Sequence, residues 1–134
     1  MAGGNRETEY IQLHEMIRHL YDVRMRAFKF TLAFNAALFT VVLQYLTDLS
    51  AQVTVAGIAM VTTIVLLQVE RRTLHAIDQY YRYGNKLEEE LGYEMIRKVD
   101  TSLAGSRIRT RHYFVALYCL AIALWVAEII HLFI

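Results

Sequence analysis

The chain has 134 residues, of which 56% are hydrophobic and 20% charged, and it carries a formal net charge of +1 with no proline. This apolar fraction exceeds the usual ~45–50%, so the composition excludes disordered and collagen-like proteins. The lone cysteine, Cys119, excludes an internal disulfide framework. A layered enzyme fold is disfavoured, since its turns use proline and glycine. The composition predicts an all-α membrane protein with a single domain built from a few long helices.

The first predicted element is a long helix that begins in the cytoplasm, over residues 1–29, and continues as span one, over residues 30–47. An apolar stripe marks the cytoplasmic segment at spacings of 3, 4 and 3, formed by Tyr10, Leu13, Ile17 and Leu20. Span one has no charged residue, but Thr31 and Asn35 lie four residues apart in it. These two side chains either line a pore or hydrogen-bond a neighbouring helix.

The second element is span two, residues 49–69, which has no charge and continues into a cytoplasmic helix and turn over residues 70–112. Two neighbouring apolar stripes extend along this helix, formed by Leu74, Ile77, Tyr81 and Gly84 and by Leu87, Leu91 and Met95. Gly92 is a weak helix stop, and Thr101–Ser106 is the stronger turn candidate. A new helix is expected from about residue 107.

The third element is span three, residues 113–134, in which Glu128 is the only acid. A helix needs about 20 residues to cross ~30 Å of hydrocarbon, which the three windows approach or exceed. The alternative, a soluble bundle with these segments as core helices, is disfavoured because a buried helix rarely runs 18 residues without a charge.

The distribution of charge predicts the orientation. All 14 Lys and Arg residues lie before span one or between spans two and three, and the loop between spans one and two has none. Because cytoplasmic loops carry the excess of Lys and Arg, the N-terminus and residues 70–112 are predicted to be cytoplasmic. The 47–52 loop and the C-terminus are predicted to lie on the far side.

A basic stripe on the cytoplasmic helix is the candidate ligand-binding site. Five residues recur at spacings of 3, 4, 3 and 4, which places them on one helix face without an acid: Arg72, His75, Gln79, Arg82 and Lys86. Arg71, Tyr80 and Tyr83 flank this stripe. Cations with interleaved aromatics suit phosphates and stacked bases. The alternatives are topology signals, contacts with anionic lipid, and interfacial tyrosines.

The remaining charged residues are interpreted mainly as structural. Arg107, Arg109, Arg111 and His112 are interpreted as topology anchors, and the acidic run of Glu88, Glu89 and Glu90 as a solvated face. Glu128 and His131 form a Glu-x-x-His pair on one helix face. One interpretation is a structural cap of the span, in which the carboxylate reaches water or pairs with His131. The alternatives are an ion pathway and a metal site. No enzyme signature is present, so no catalytic residue, metal or cofactor is predicted.

The layout resembles the SLATT domains of bacterial conflict systems. The resemblance covers residues 6–98 and rests on the amphipathic segment Tyr10–Arg26, the tight hairpin of two spans, and the charged helix that leaves the second span through Leu87–Gly92. It implies an inner-membrane homo-oligomer, with a tetramer favoured, that forms pores in antiviral defence as in Hailong-type pairs. It also implies a nucleotide or nucleic-acid ligand, made by a partner nucleotidyltransferase and bound by Arg72, His75, Arg82 and Lys86. Span three departs from the simplest two-span pattern.

The predicted function is therefore an oligomeric ion channel or pore effector controlled by a ligand on the basic cytoplasmic helix. One alternative is a membrane anchor or scaffold that docks a soluble partner. Another is a phage holin, which would form large, unselective lesions without a ligand.

Overall fold

The computed structural model describes the backbone of residues 2–134 and the side chains of residues 4–96, 98 and 110–134. It consists of three helices: α1 (Ala2–Gln44), α2 (Leu49–Leu91) and α3 (Met95–Phe133). No strand occurs in the described chain. The all-α prediction is confirmed, and the absence of proline explains how each helix runs for about 40 residues without a break.

The loop between α1 and α2 is short because its polar groups are satisfied locally. The Asp48 carboxylate accepts a hydrogen bond from the Ala51 amide at 3.0 Å, which caps the N-terminus of α2. The Gln52 side-chain amide donates to the Leu46 carbonyl at 2.7 Å, at the end of the preceding helix. These bonds satisfy one amide at the start of α2 and one carbonyl at the end of α1 within the loop itself.

The second reversal occurs at Gly92, whose φ of 72° is a left-handed conformation that glycine adopts without steric cost. The Tyr93 amide donates to the Glu88 carbonyl at 3.0 Å and closes the end of α2. The predicted turn at Thr101–Ser106 is wrong, because α3 begins at Met95 and includes this segment. The weaker of the two turn signals therefore ends α2, since Gly105 is compatible with a helix interior at a modest cost.

All three helices are long and apolar enough to cross a membrane. Their candidate segments are Gly4–Gln44, Leu49–Leu91 and Thr110–Phe133, with mean hydropathies of 1.4, 1.9 and 2.2 in the most apolar windows. Only 17% of each window is buried within the chain, so the remaining apolar surface faces outward. A soluble protein rarely exposes apolar area on this scale, and the surface indicates a multi-pass membrane protein.

The chain divides into two compact units. Unit 1 comprises Met1–Met25 and Arg71–Arg111, and unit 2 comprises Arg26–Glu70 and His112–Ile134. In unit 1 most of the predicted stripe residues of α1 and α2 pack into one cluster with Ile96 of α3; its members are Tyr10, Leu13, Ile17, Ile77, Tyr81, Leu87 and Ile96. Met95, predicted to extend the second stripe of α2, is instead the first residue of α3 and is 61% exposed. Gly84 permits this contact, because a Cβ there would lie 2.7 Å from the Ile96 Cδ1 atom.

The core of unit 2 is centred on Trp125 of α3, which is fully buried. Its indole ring packs on Phe39 of α1 with ring centroids 4.1 Å apart. Ala56 and Ala59 of α2 belong to the same cluster and allow the helix backbones to approach closely. Unit 2 is thus a three-helix bundle closed around one aromatic side chain.

Candidate functional site

The basic stripe forms one exposed face of α2 within unit 1. All five of its members are solvent-exposed, and their backbone lies on the side of α2 opposite the buried Leu74, Ile77 and Tyr81. His75 and Gln79 contact each other through their Nε2 atoms at 3.1 Å. The helical spacing seen in the sequence therefore corresponds to an accessible surface, here called the basic face and defined as Arg72, His75, Gln79, Arg82 and Lys86.

The cations of the basic face form no ion pair with any described residue. Arg72, Arg82 and Lys86 of this face, and the flanking Arg71, are exposed and make no such contact. By contrast, Arg6 pairs with Glu90, and Lys98 pairs with Glu94 at 2.9 Å. The unpaired positive charges leave the face able to bind an anion without first breaking an internal contact.

One acid borders the basic face, although none belongs to the stripe itself. Asp78 is half-exposed and lies three residues after His75 and four before Arg82, which makes it their neighbour on the helix surface. Its carboxylate lies 3.8 Å from the Arg111 guanidinium of α3. This contact offsets the negative charge of Asp78 beside the basic face. Arg111, interpreted from the sequence as a topology anchor, therefore also forms an ion pair with α2.

The remaining members of the second basic cluster are only partly described. His112 is exposed, whereas the side chains of Arg97, Arg107 and Arg109 lie outside the described residues. Their interpretation as topology anchors stays a prediction.

The two tyrosines assigned to the ligand site lie in different environments. Tyr80 is partly buried and packs against the core of unit 1. Tyr83 is 49% exposed, and its hydroxyl donates to a Glu9 carboxylate oxygen at 3.3 Å. Tyr83 therefore offers an accessible ring at the edge of the basic face, whereas Tyr80 contributes mainly to packing.

Thr31 and Asn35 lie inside unit 2, where they form a hydrogen-bond network among three helices. The Asn35 Oδ1 atom accepts from the Trp125 indole N–H at 2.7 Å and from the Thr63 hydroxyl at 3.1 Å. The Thr31 hydroxyl donates to the Ala27 carbonyl at 2.8 Å and lies 3.5 Å from the Tyr118 hydroxyl. Both residues are at least nine-tenths buried.

This network corresponds to the helix–helix alternative of the sequence analysis. A side chain whose polar atoms are used inside one chain is unavailable to line a pore between copies. The assignment of Thr31 and Asn35 as pore-lining residues therefore gains no support from their position. The four-residue spacing of Thr31 and Asn35 on α1 indicated that they share a helix face. The partner of Asn35, Trp125, lies 90 residues away and gave no recognisable signal in the sequence.

Glu88 is a buried carboxylate that the sequence analysis placed wrongly. It is only 1% exposed, and it accepts hydrogen bonds from the Tyr10 hydroxyl at 2.7 Å and from the Ile96 amide in the first turn of α3. It thereby joins all three helices of unit 1 and offsets the positive end of the α3 dipole. The signal was present, because Glu88 continues the apolar stripe four residues after Gly84. The solvated interpretation is confirmed for Glu89 and Glu90.

The contact between Tyr10 and Glu88 predicts a loss of stability in alkali. Burial, and then the hydrogen bond to Glu88 and its charge, raise the pKa of Tyr10 above its ordinary value of 10.0. A raised folded-state pKa gives stability that is complete below pH 10 and is lost as the pH rises through the folded-state value. The temperature of half-unfolding should therefore decrease as the pH rises above 10. In Tyr10→Phe this decrease should be less steep. Equal slopes in the two proteins would contradict this linkage.

Glu128 and His131 share a face of α3 but do not contact each other. Glu128 is partly buried and His131 is exposed, and neither has a hydrogen bond or ion pair within the described part of the chain. The structure therefore gives no support to the pairing considered from the sequence. Among the described side chains, no group of three His, Cys, Asp or Glu residues is placed to hold a metal ion.

Comparisons of the chain with protein-family models, with curated proteins and with solved structures find no match. The resemblance to SLATT domains therefore rests on the layout of the sequence alone.

Proposed function

We propose that this chain is the subunit of a homo-oligomeric channel or pore in the bacterial inner membrane that acts in antiphage defence without catalysing a reaction. A nucleotide or a short single-stranded nucleic acid controls it by binding the basic face. The observation that carries the proposal is the exposed set of cations at Arg71, Arg72, Arg82 and Lys86, which form no ion pair with any side chain that the structure describes.

Phosphate chemistry accounts for this choice of ligand. Cations that neutralise phosphates release condensed counterions, so binding depends steeply on salt concentration. The exposed ring of Tyr83 lies beside the face and supplies a surface on which a base stacks. A nucleotide or single strand offers both groups together, whereas a lipid headgroup offers only the phosphate.

The lengths of the helices support cytoplasmic arms that carry this face. At 1.5 Å per residue, α1 is about 64 Å long, roughly twice the ~30 Å of a hydrocarbon core. The basic residues follow span two, and the positive-inside rule places them in the cytoplasm. The ligand face would then meet nucleotides made in the same compartment.

Self-association is supported by the outward apolar surface, which a second copy could cover, and by the resemblance to SLATT domains, which favours a tetramer. On α3 the exposed side opposite Trp125 carries the small residues Ala116, Ala123 and Ala127. Small residues at helical spacing let a neighbouring transmembrane helix approach closely. Copies packed along this face would enclose a passage that one closed three-helix unit lacks.

Reversing one charge of the basic face tests the ligand site. We expect Arg82→Glu to weaken binding of a short labelled oligonucleotide by at least about tenfold and to lower the salt slope by about one unit. The measurement is fluorescence anisotropy at several salt concentrations with the purified protein in detergent.

The matched control is Arg18→Glu, another exposed arginine of unit 1 that lies on α1 outside the basic face. It should leave binding close to that of the unaltered protein. Equal losses in both variants would show that net charge, rather than the basic face, drives binding.

A membrane anchor for a soluble partner is the second candidate function. The buried network around Asn35 favours it, because the polar residues of span one are used to close the bundle of a single chain. An anchor would be monodisperse only with its partner and would carry no current in a bilayer. A channel would be monodisperse alone and would conduct.

A further inference from the structure

A cleft lies between α1 and α2 in unit 1, beside the core of that unit. Its volume is about 360 Å³, which is the size of a site for a small molecule. The described residues that line it are His14, Glu15, Ile17, Arg18, Tyr21 and Tyr81. Three of them, His14, Arg18 and Tyr21, recur at spacings of 4 and 3 and therefore share one face of α1. The cleft thus has a polar wall on α1 and an aromatic wall on α2.

His14 has a buried ring nitrogen that nothing in the described chain satisfies. Its Nε2 atom is buried and makes no hydrogen bond to any described residue. The imidazole packs edge-to-face against the Tyr10 ring, with centroids 4.9 Å apart, which holds it in place. Because buried polar atoms are ordinarily hydrogen-bonded, an unsatisfied nitrogen on a residue that lines a cleft indicates a partner from outside the chain.

Arg18 brings a positive charge to the same cleft. Its side chain is exposed and forms no ion pair with any described residue, including its helix neighbours Glu15 and Asp22. Tyr21 is partly buried, and its hydroxyl makes no hydrogen bond within the described residues. A guanidinium, an imidazole N–H and a phenol O–H are all donors, and together they suit an acceptor that carries several oxygens.

We propose that this cleft binds a phosphate group, with the Arg18 guanidinium and the His14 imidazole as its principal donors. Arginine pairs with two phosphate oxygens at once, and the imidazole Nε2–H donates to another. The phosphate belongs to a small soluble molecule or to a lipid headgroup. An oligonucleotide is too large for the cleft, so this site is separate from the basic face and does not depend on the proposed channel function.

The test is the binding of labelled inorganic phosphate to the purified protein in detergent, measured by equilibrium dialysis at constant KCl concentration. Arg18→Gln and His14→Phe should each weaken binding by at least about tenfold, because each removes a donor to the phosphate. The matched controls are Arg82→Gln, on the basic face, and His19→Phe, an exposed histidine of α1 outside the cleft. Both controls should keep the affinity of the unaltered protein.

Glu15 provides a test of opposite sign. It is the only acid among the described lining residues, and it is exposed. Its negative charge opposes a bound anion, so Glu15→Gln should tighten phosphate binding severalfold in the same dialysis experiment. Weaker binding in Glu15→Gln would contradict an anion as the ligand.

Nitrogen NMR of the histidine rings reports on the site without a substitution. Phosphate should move the resonance of the His14 ring and leave that of His19 in place. Short-chain phosphatidic acid, used instead of phosphate, identifies the source: tighter binding than inorganic phosphate assigns the site to a lipid headgroup, and weaker binding assigns it to a soluble phosphate.

Three results would overturn the site. They are failure of both probes to bind, binding that survives Arg18→Gln and His14→Phe alike, and a His14 resonance that does not move at saturating phosphate. In each case water, rather than a phosphate, would be the partner of the buried Nε2 atom.

Discussion

Replacing Asn35 with leucine should destabilise the protein by about 2–4 kcal/mol, because two hydrogen bonds between helices are lost and a buried indole N–H is left unpaired. The Asn35 Oδ1 atom accepts both bonds, from Trp125 at 2.7 Å and from Thr63 at 3.1 Å. An unsatisfied donor in hydrocarbon has no water to replace its partner. The measurement is the free energy of unfolding in mixed detergent micelles, followed by Trp125 fluorescence.

The matched control for this experiment is Thr40→Val in the same span. Thr40 is exposed, and its hydroxyl bonds only to the Ala36 carbonyl one turn earlier. Its replacement should change stability by less than about 0.5 kcal/mol. Similar losses in both variants would indicate that the network around Asn35 does not hold unit 2 together.

Replacing Glu88 with alanine should lower the stability of unit 1 by about 2–5 kcal/mol, because a buried charged acceptor disappears and its two donors remain. The Tyr10 hydroxyl and the Ile96 amide both bond to this carboxylate. We expect faster hydrogen exchange at the Ile96 amide and a lower thermal midpoint.

Glu89→Ala is the control for Glu88, since the neighbouring side chain is exposed. It should leave the exchange at Ile96 and the thermal midpoint nearly unchanged. Unaltered exchange at Ile96 in Glu88→Ala would contradict the role of Glu88 in holding the start of α3.

The helical class and the apolar spans could be predicted from the sequence because both depend on local properties. Runs without charge are long enough to span hydrocarbon, and no proline interrupts them. The second reversal was misplaced because the segment Thr101–Ser106 gives the stronger local turn signal, whereas α2 ends at the weaker one, Gly92. Gly92 is the residue that adopts the left-handed conformation, and the first turn of α3 then bonds to the buried Glu88, a contact that a local pattern does not contain.

The candidate site was predictable only in part, for the same reason. Helical spacing identifies which cations share a face, and the exposed basic face follows from it. Spacing does not reveal that Arg111 pairs with the Asp78 carboxylate or that the Trp125 indole donates a hydrogen bond to Asn35. In both pairs the partner lies on a different helix. Glu88 was misjudged because an acidic run is ordinarily solvated, although its position continues the buried stripe.

Potassium flux from proteoliposomes tests the central claim most directly. The purified protein is reconstituted without any partner, and a short single-stranded oligonucleotide or ATP is present on both faces of the membrane. We expect flux that changes severalfold with one of these ligands and a response that is lost in Arg82→Glu but kept in Arg18→Glu. Absence of flux with and without ligand, from a protein that is folded and oligomeric, would contradict it.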